Sequence, residues 1–193
     1  MHEYSINSKE RLLVPFYMAV LSALIVHWVK SKLVLPEWIP VPTAFACYAA
    51  LHQLFDRFVW KWKPLRWIGV VRTPNLNGTW TMATTSSLTN YDVTYEGRLR
   101  IEQTWSKISL FFEGSNATST SQMATIAITN HSLFTLEWEY LSRKKPEFSQ
   151  EDYMHYGMTR LQWTGGDALN SLEGDYYTDR SRHQYGEVQI IKA

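Results

Sequence analysis

The segment Leu12–Val29, LLVPFYMAVLSALIVHWV, contains no Asp, Glu, Lys or Arg, and this run constrains the chain more than any other feature. Extended to Leu35, it supplies the ~20 helical residues that cross a hydrocarbon core at a rise of ~1.5 Å each. Pro15 falls in the first turn, where a missing N–H is tolerated. A secretory signal peptide fits less well. Its apolar region is only ~7–15 residues long, and a small-residue cleavage site follows it.

Pro36-Glu37-Trp38-Ile39-Pro40 breaks the run, and a second apolar segment spans Val41–Trp60. His52, Asp56 and Arg57 lie in its second half, so a buried amphipathic helix is the alternative reading. Trp60, Trp62 and Trp67 with Arg57, Lys61, Lys63 and Arg66 form an aromatic and basic belt that favours a second membrane span. Lys9 and Arg11 precede the first helix, whereas the connecting loop offers only Lys30 and Lys32 against Glu37. The positive-inside rule then places both termini of this multi-pass chain in the cytoplasm. Ala19 with Ala23, and Ala46 with Ala50, provide small-residue faces for close helix approach. His52 and Asp56 share a helix face, as polar groups seeking a partner at membrane depth do. These six are the candidate oligomer contacts, with packing of the hairpin on itself as the alternative.

Charge divides the chain at the same place. Residues 1–74 hold nine Lys/Arg against four Asp/Glu, whereas 75–193 hold ten against fourteen. An acidic domain makes a poor non-specific nucleic-acid binder, so no DNA or RNA partner is expected. The single cysteine, Cys47, excludes a disulfide framework and a cysteine-based metal site.

From Asn75 onward, short Thr- and aromatic-rich runs alternate with turn clusters. Eight strands are expected, at about Gly78–Thr84, Thr94–Trp105, Lys107–Gly114, Gln122–Asn130, Ser132–Leu141, Tyr153–Trp163, Leu169–Thr178 and Tyr185–Ile191. Their number and order suit an antiparallel up-and-down, lipocalin-like β-barrel, whose closure removes sheet edges. The expected organisation is therefore 1–74, with helices at about 12–35 and 41–60 and a basic linker, followed by a cytosolic barrel at 75–193.

Alternation turns Tyr95, Leu99 and Ile101 inward, and likewise Leu136, Trp138 and Tyr140, and Gly174, Tyr176 and Thr178. Tight joints at Ser106-Lys107, Asn130-His131 and Gly165-Gly166-Asp167 share one rim. The longer connections Thr85–Val93, Ser115–Ser121, Ser142–Asp152 and Asp179–Gln184 share the other, and bring Arg143, Lys144, Lys145, Arg180, Arg182 and His183 to it. Aromatic rings there could stack bases while arginines pair with phosphates; a solvated loop cluster is the bland alternative. The candidate ligand-binding residues are Tyr95, Trp138, Tyr140, Tyr176, Thr178, Arg180 and Arg182.

No P-loop, G-x-G-x-x-G, G-x-S-x-G or H-E-x-x-H sequence is present, and the six histidines make no metal-ligand spacing. The expectation is a binding or effector protein, not an enzyme, with no metal.

The two-helix hairpin, the Trp- and Lys/Arg-rich linker, Leu76-Asn77-Gly78-Thr79-Trp80 opening the strands, and Glu173-Gly174-Asp175-Tyr176 near the end together resemble a known family. They are similar to the membrane-associated β-barrel effectors of bacterial CBASS anti-phage systems, also described as SMODS-associated two-transmembrane, STING-like effectors. The resemblance implies a barrel that binds a cyclic dinucleotide made by a partner CD-NTase. It also implies homo-oligomerisation through the membrane segments, contact with lipid, disruption of the inner membrane and death of the infected cell. Two other readings share the fold: a membrane-tethered carrier of an apolar small molecule, and a passive anchor with a filled barrel.

Overall fold

The computed structural model describes residues 1–32, 43–129, 133–146, 154–165, 169–180 and 182–193. The chain divides into a helical unit, Ser8–Thr73, and a strand unit made of Met1–Asn7 and Pro74–Ala193.

In the helical unit, α1 covers Glu10–Lys32, with Glu10 in its first turn and Lys30 and Lys32 in its last, as the helix dipole favours. Its buried stripe is Val14, Met18, Ser22 and Val26, at a spacing of four, and it packs against α2 (Ala44–Arg57). Leu12, Phe16, Tyr17, Leu24 and Trp28 stay exposed on its other faces. Among the described residues, α1 is the one helix long and apolar enough to cross a membrane. The Glu10 carboxylate is buried and accepts from the backbone N–H groups of Arg72 and Thr73 and from the Thr73 hydroxyl. Arg66 donates to the Thr73 carbonyl at 3.1 Å, and the Glu10 contacts clasp the two ends of this unit together.

The length of the helix expected at 41–60 needs correction. Helix α2 has 14 residues, about 21 Å of helix, short of a full crossing. Thr43 caps its start by accepting from the Ala46 N–H at 3.1 Å. The chain leaves helical geometry at Phe58 (φ −128°, ψ −52°), and a 3₁₀ turn at Val59–Lys61 then carries Trp60 into full burial. A last short helix, α3, covers Lys63–Trp67. Positions 33–35, the Pro36–Pro40 break and the start of the second segment lie outside the described residues.

Among the described residues the chain forms nine strands, where eight are expected from sequence: β1 (His2–Ile6), β2 (Gly78–Thr85), β3 (Thr94–Gln103), β4 (Lys107–Gly114), β5 (Ala117–Thr129), β6 (Leu133–Lys144), β7 (Met154–Thr164), β8 (Ser171–Thr178) and β9 (Tyr185–Lys192). Strands β2 to β9 pair antiparallel in chain order, and β9 pairs back onto β2 to close a barrel. The additional strand comes from the extreme N-terminus. Direct β4–β5 pairing is limited to Phe111–Glu113 against Thr118–Thr120. Below that point β1 enters between them, antiparallel to β4 (His2↔Ile108, Glu3↔Lys107) and parallel to β5 (Tyr4↔Ala124, Ser5↔Thr125, Ile6↔Ile126). Residues 2–6 are too few for a strand to stand alone. Their inward Tyr4 and partly buried Ile6 gain a core only in this cleft.

A second correction concerns Ser115–Ser121. Strand β5 begins at Ala117, so the connection from Gly114 is the two-residue turn Ser115-Asn116. Thr118, Ser119 and Thr120 carry no apolar alternation, and the strand is set instead by its pairing with β4 and β6. The expected joints at Asn130-His131 and Gly166-Asp167, and much of the 142–152 connection, lie outside the described residues.

The barrel is solid at the end where β2 begins. Trp80, Ile101, Ile126, Leu136, Leu161 and Ile190 are each at most 2 % exposed there. The Leu76–Trp80 sequence forms the floor. The Trp80 indole N–H donates to the Leu76 carbonyl at 3.0 Å, and the Leu76 N–H donates to Gln103 Oε1 at 2.9 Å. Gln103 Nε2 reaches the Pro74 carbonyl at 3.1 Å and the Tyr4 hydroxyl at 3.2 Å. This buried amide is therefore satisfied, as a polar group in a core must be.

Candidate functional site

At the opposite end the inward side chains become small or polar: Thr84, Gly114, Ser119, Ser142, Gly157 and Thr178. They leave a cavity of about 410 Å³, within the ~300–1,000 Å³ range of small-molecule sites. Its base is apolar, with Met82, Leu99, Leu110, Phe112 and Trp138, and its upper wall is polar.

Two aromatics lie flat along this wall because glycine stands across from them. Tyr140 pairs directly with Gly157, and a Cβ on Gly157 would overlap the Tyr140 ring and hydroxyl. The Phe112 ring occupies the equivalent space beside Gly97. Tyr140 also meets His155 edge-on, with ring centroids 6.3 Å apart. Burial pushes the Tyr140 phenol well above its ordinary value; nearby Tyr176 adds to this and Arg182 opposes it. The phenol is thus a neutral hydrogen-bond donor at physiological pH.

The Asp179–Gln184 connection sets Arg182 over the mouth. Thr178 N–H donates to the Gln184 carbonyl at 2.8 Å, and Gln184 N–H returns to Thr178 Oγ1 at 2.9 Å. Arg182 and His183 N–H groups both donate to the Asp179 carbonyl, and His183 takes φ 48° to close the turn. On the facing strands, Lys144 and His155 also line the cavity. Lys144 and Arg182 against the single carboxylate Glu96 make the charged lining cationic on balance. Charge, aromatic walls and a neutral phenol donor suit a flat, anionic ligand carrying more than one ring.

Of the seven residues expected from sequence, Tyr95, Trp138, Tyr140, Tyr176, Thr178 and Arg182 line this one cavity. Arg180 is exposed on the same connection and does not line it. Sequence reasoning brought Lys144 to this rim without counting it among the ligand residues, and it missed His155 on the wall and Leu88 at the lip. Strand parity carries the signal for the first two. Lys144 follows Trp138, Tyr140 and Ser142 in steps of two, and His155 precedes Gly157 and Thr159 in the same way. Leu88 sits in a 3₁₀ turn, where Ser86 Oγ accepts from its N–H at 3.2 Å.

The six membrane candidates fall into two groups. Ala19, Ala23, Ala46 and Ala50 are exposed on their helices. His52 and Asp56 are half-buried, and both are engaged within the chain. Among the described residues, no group of three His, Cys, Asp or Glu could hold a metal ion.

The chain is similar to known proteins. The family model "Cap15, cyclic dinucleotide receptor domain" matches residues 71–192, which includes the cavity and β2 to β9. A relative from Yersinia aleksiciae, CD-NTase-associated protein 15, is 29 % identical over 153 residues, covering 78 % of this chain and 69 % of its own length. The chain belongs to the Cap15 family and is a Cap15-type CBASS effector with a cyclic dinucleotide receptor domain.

Proposed function

Starting from that family membership, we propose that the cavity is where this chain binds its cyclic dinucleotide. The carrying observation is the co-location of Arg182, Lys144 and five aromatic residues around one open 410 Å³ cavity. The bases stack on Trp138, Tyr140, Tyr95 and Tyr176. Arg182 and Lys144 hold the phosphates, with Tyr140 donating a further hydrogen bond, and Arg180 adds charge outside the mouth.

Occupancy then drives self-association and inner-membrane disruption, for which the ligand must favour the assembled state over the monomer. The helical unit is the actuator. Ala19, Ala23, Ala46 and Ala50 are exposed and free to face neighbouring copies, whereas His52 and Asp56 are half-buried and already engaged. Two crossings are part of this reading. Residues 2–6 belong to the same barrel as 78–192, so both segments lie on one side of any membrane. A crossing by α1 therefore requires a return between residues 33 and 73. Helix α2, about 21 Å long, is the longest described element on that return.

The test is titration of the full chain with cyclic di-AMP, cyclic di-GMP and cyclic di-UMP by calorimetry. Arg182→Ala with Lys144→Ala weakens binding at least 100-fold, the loss of two charge-assisted hydrogen bonds worth about 1.5–3 kcal/mol each, while the far-UV circular dichroism stays unchanged. Affinity equal to that of the unmodified chain sinks the site.

A further inference from the structure

Where β4 and β5 part company, one buried hydroxyl holds the fork. Ser121 Oγ accepts from the Leu110 N–H at 2.9 Å and lies 2.8 Å from His2 Nε2 on β1. Strand β5 is irregular here, with a register shift between Ser121 and Met123. Immediately above the fork, Leu110, Phe112 and Ser119 are cavity wall. Immediately below it, β1 fills the gap, with Tyr4 in the core and its hydroxyl on Gln103 of the floor. The barrel therefore has eight strands around its mouth and a ninth around its floor.

The length of the junction after β1 matters as much as its position. Strand β1 ends at Ile6 and α1 starts at Glu10. Asn7 is pinned by two bonds, donating to the Ile128 carbonyl at 3.2 Å and accepting from the Ile128 N–H at 2.7 Å. A shift of β1 in its cleft has only Asn7, Ser8 and Lys9 in which to dissipate before it reaches the first helix.

We infer that the fork at Ser121 couples the cavity to β1, so that the N-terminal strand is the element through which the receptor wall acts on α1. This inference rests on the cavity being the cyclic dinucleotide site. A ligand pressing on Phe112 and Ser119 changes how far β4 and β5 are zipped together, and β1 occupies the space that zipping would claim. Ser121 is a positioning residue: it touches no ligand, and it holds the three strands in register. Linkage makes the coupling reciprocal, so restraining β1 alters ligand affinity by the same factor as ligand alters the restraint.

The register supplies a lock for the test. Ser5 and Thr125 are partners on β1 and β5, their hydroxyls are 2.5 Å apart, and both point away from the core. In the full chain reconstituted in nanodiscs, Ser5→Cys with Thr125→Cys, on a Cys47→Ala background, forms a disulfide that fixes β1 to β5. Oxidation slows amide exchange at least tenfold at Phe111–Glu113 and Thr118–Thr120, which β1 does not touch, and reduction restores it. Slowing confined to direct partners of β1 overturns the inference, whether or not any ligand is present. The same oxidation shifts affinity for cyclic di-AMP, cyclic di-GMP or cyclic di-UMP at least fivefold, and equal affinity in both redox states also overturns it. Loss of binding in both states, with remote exchange still slowed, supports the coupling and counts against the ligand assignment alone. Should the cysteine pair misfold, Ser121→Ala carries the same question. Faster exchange at Phe112 as well as Leu110 is expected, and an effect at Leu110 alone refutes the coupling.

Discussion

The floor and the mouth of the barrel share eight strands and one pattern of alternation, and their hydrogen-bonded neighbours differ only where β1 parts β4 from β5, yet the floor is filled and the mouth is hollow. What differs is the size of every second residue. On β7 the inward series from floor to mouth runs Trp163, Leu161, Thr159, Gly157, His155. Backbone geometry sets a barrel wide enough for side chains to fill or for one ligand to enter. Side-chain volume then decides which of the two happens at each level.

Three substitutions test that division, taken from the largest expected effect. Leu161→Ala opens a hole in the filled half, where this side chain is fully buried, and lowers unfolding stability by about 2–5 kcal/mol. Denaturant titration of the full chain measures it, and a loss under 1 kcal/mol would mean that the floor is not close-packed. Ser119→Trp does the reverse. It places a large ring in the hollow half, weakens cyclic dinucleotide binding about 100-fold by calorimetry and leaves the denaturation midpoint nearly unchanged. A comparable fall in stability would show that the space at Ser119 is already occupied. Gly157→Ala is the mildest: its new methyl displaces Tyr140 from the wall, and binding falls about tenfold. Affinity unchanged by this variant would show that the placement of Tyr140 is not used.

The helical unit shows a different kind of limit on what sequence reveals. The charge-free run made α1 plain, and the observed helix begins within two residues of the expected start. Helix α2 was legible as a helix but not in length. Val59 and Trp60 are as apolar as the residues before them, yet the chain breaks at Phe58 and buries Trp60 instead of continuing. Local composition cannot report that choice, because it depends on what Trp60 packs against.

In the strand unit, inward parity alone gathers Tyr95, Trp138, Tyr140, Tyr176 and Thr178, and the pattern of long and short connections brings Arg182 to the same rim. Lys144 and His155 obey the same parity, but charged or scattered residues do not stand out in a search for apolar alternation. Strand β1 was harder to read. His2–Ile6 alternates as a half-buried strand should, but it stands next to a membrane helix and far in sequence from every strand it joins.

By itself the sequence determined an apolar helix followed by a meander of alternating strands, because both follow from periodicities local to the chain. Only the tertiary structure decided that β4 and β5 diverge, that the N-terminus fills the gap, and that one end of the barrel stays open. Those outcomes turn on volumes and pairings between residues more than a hundred positions apart, such as Ser5 with Thr125, which no local pattern encodes.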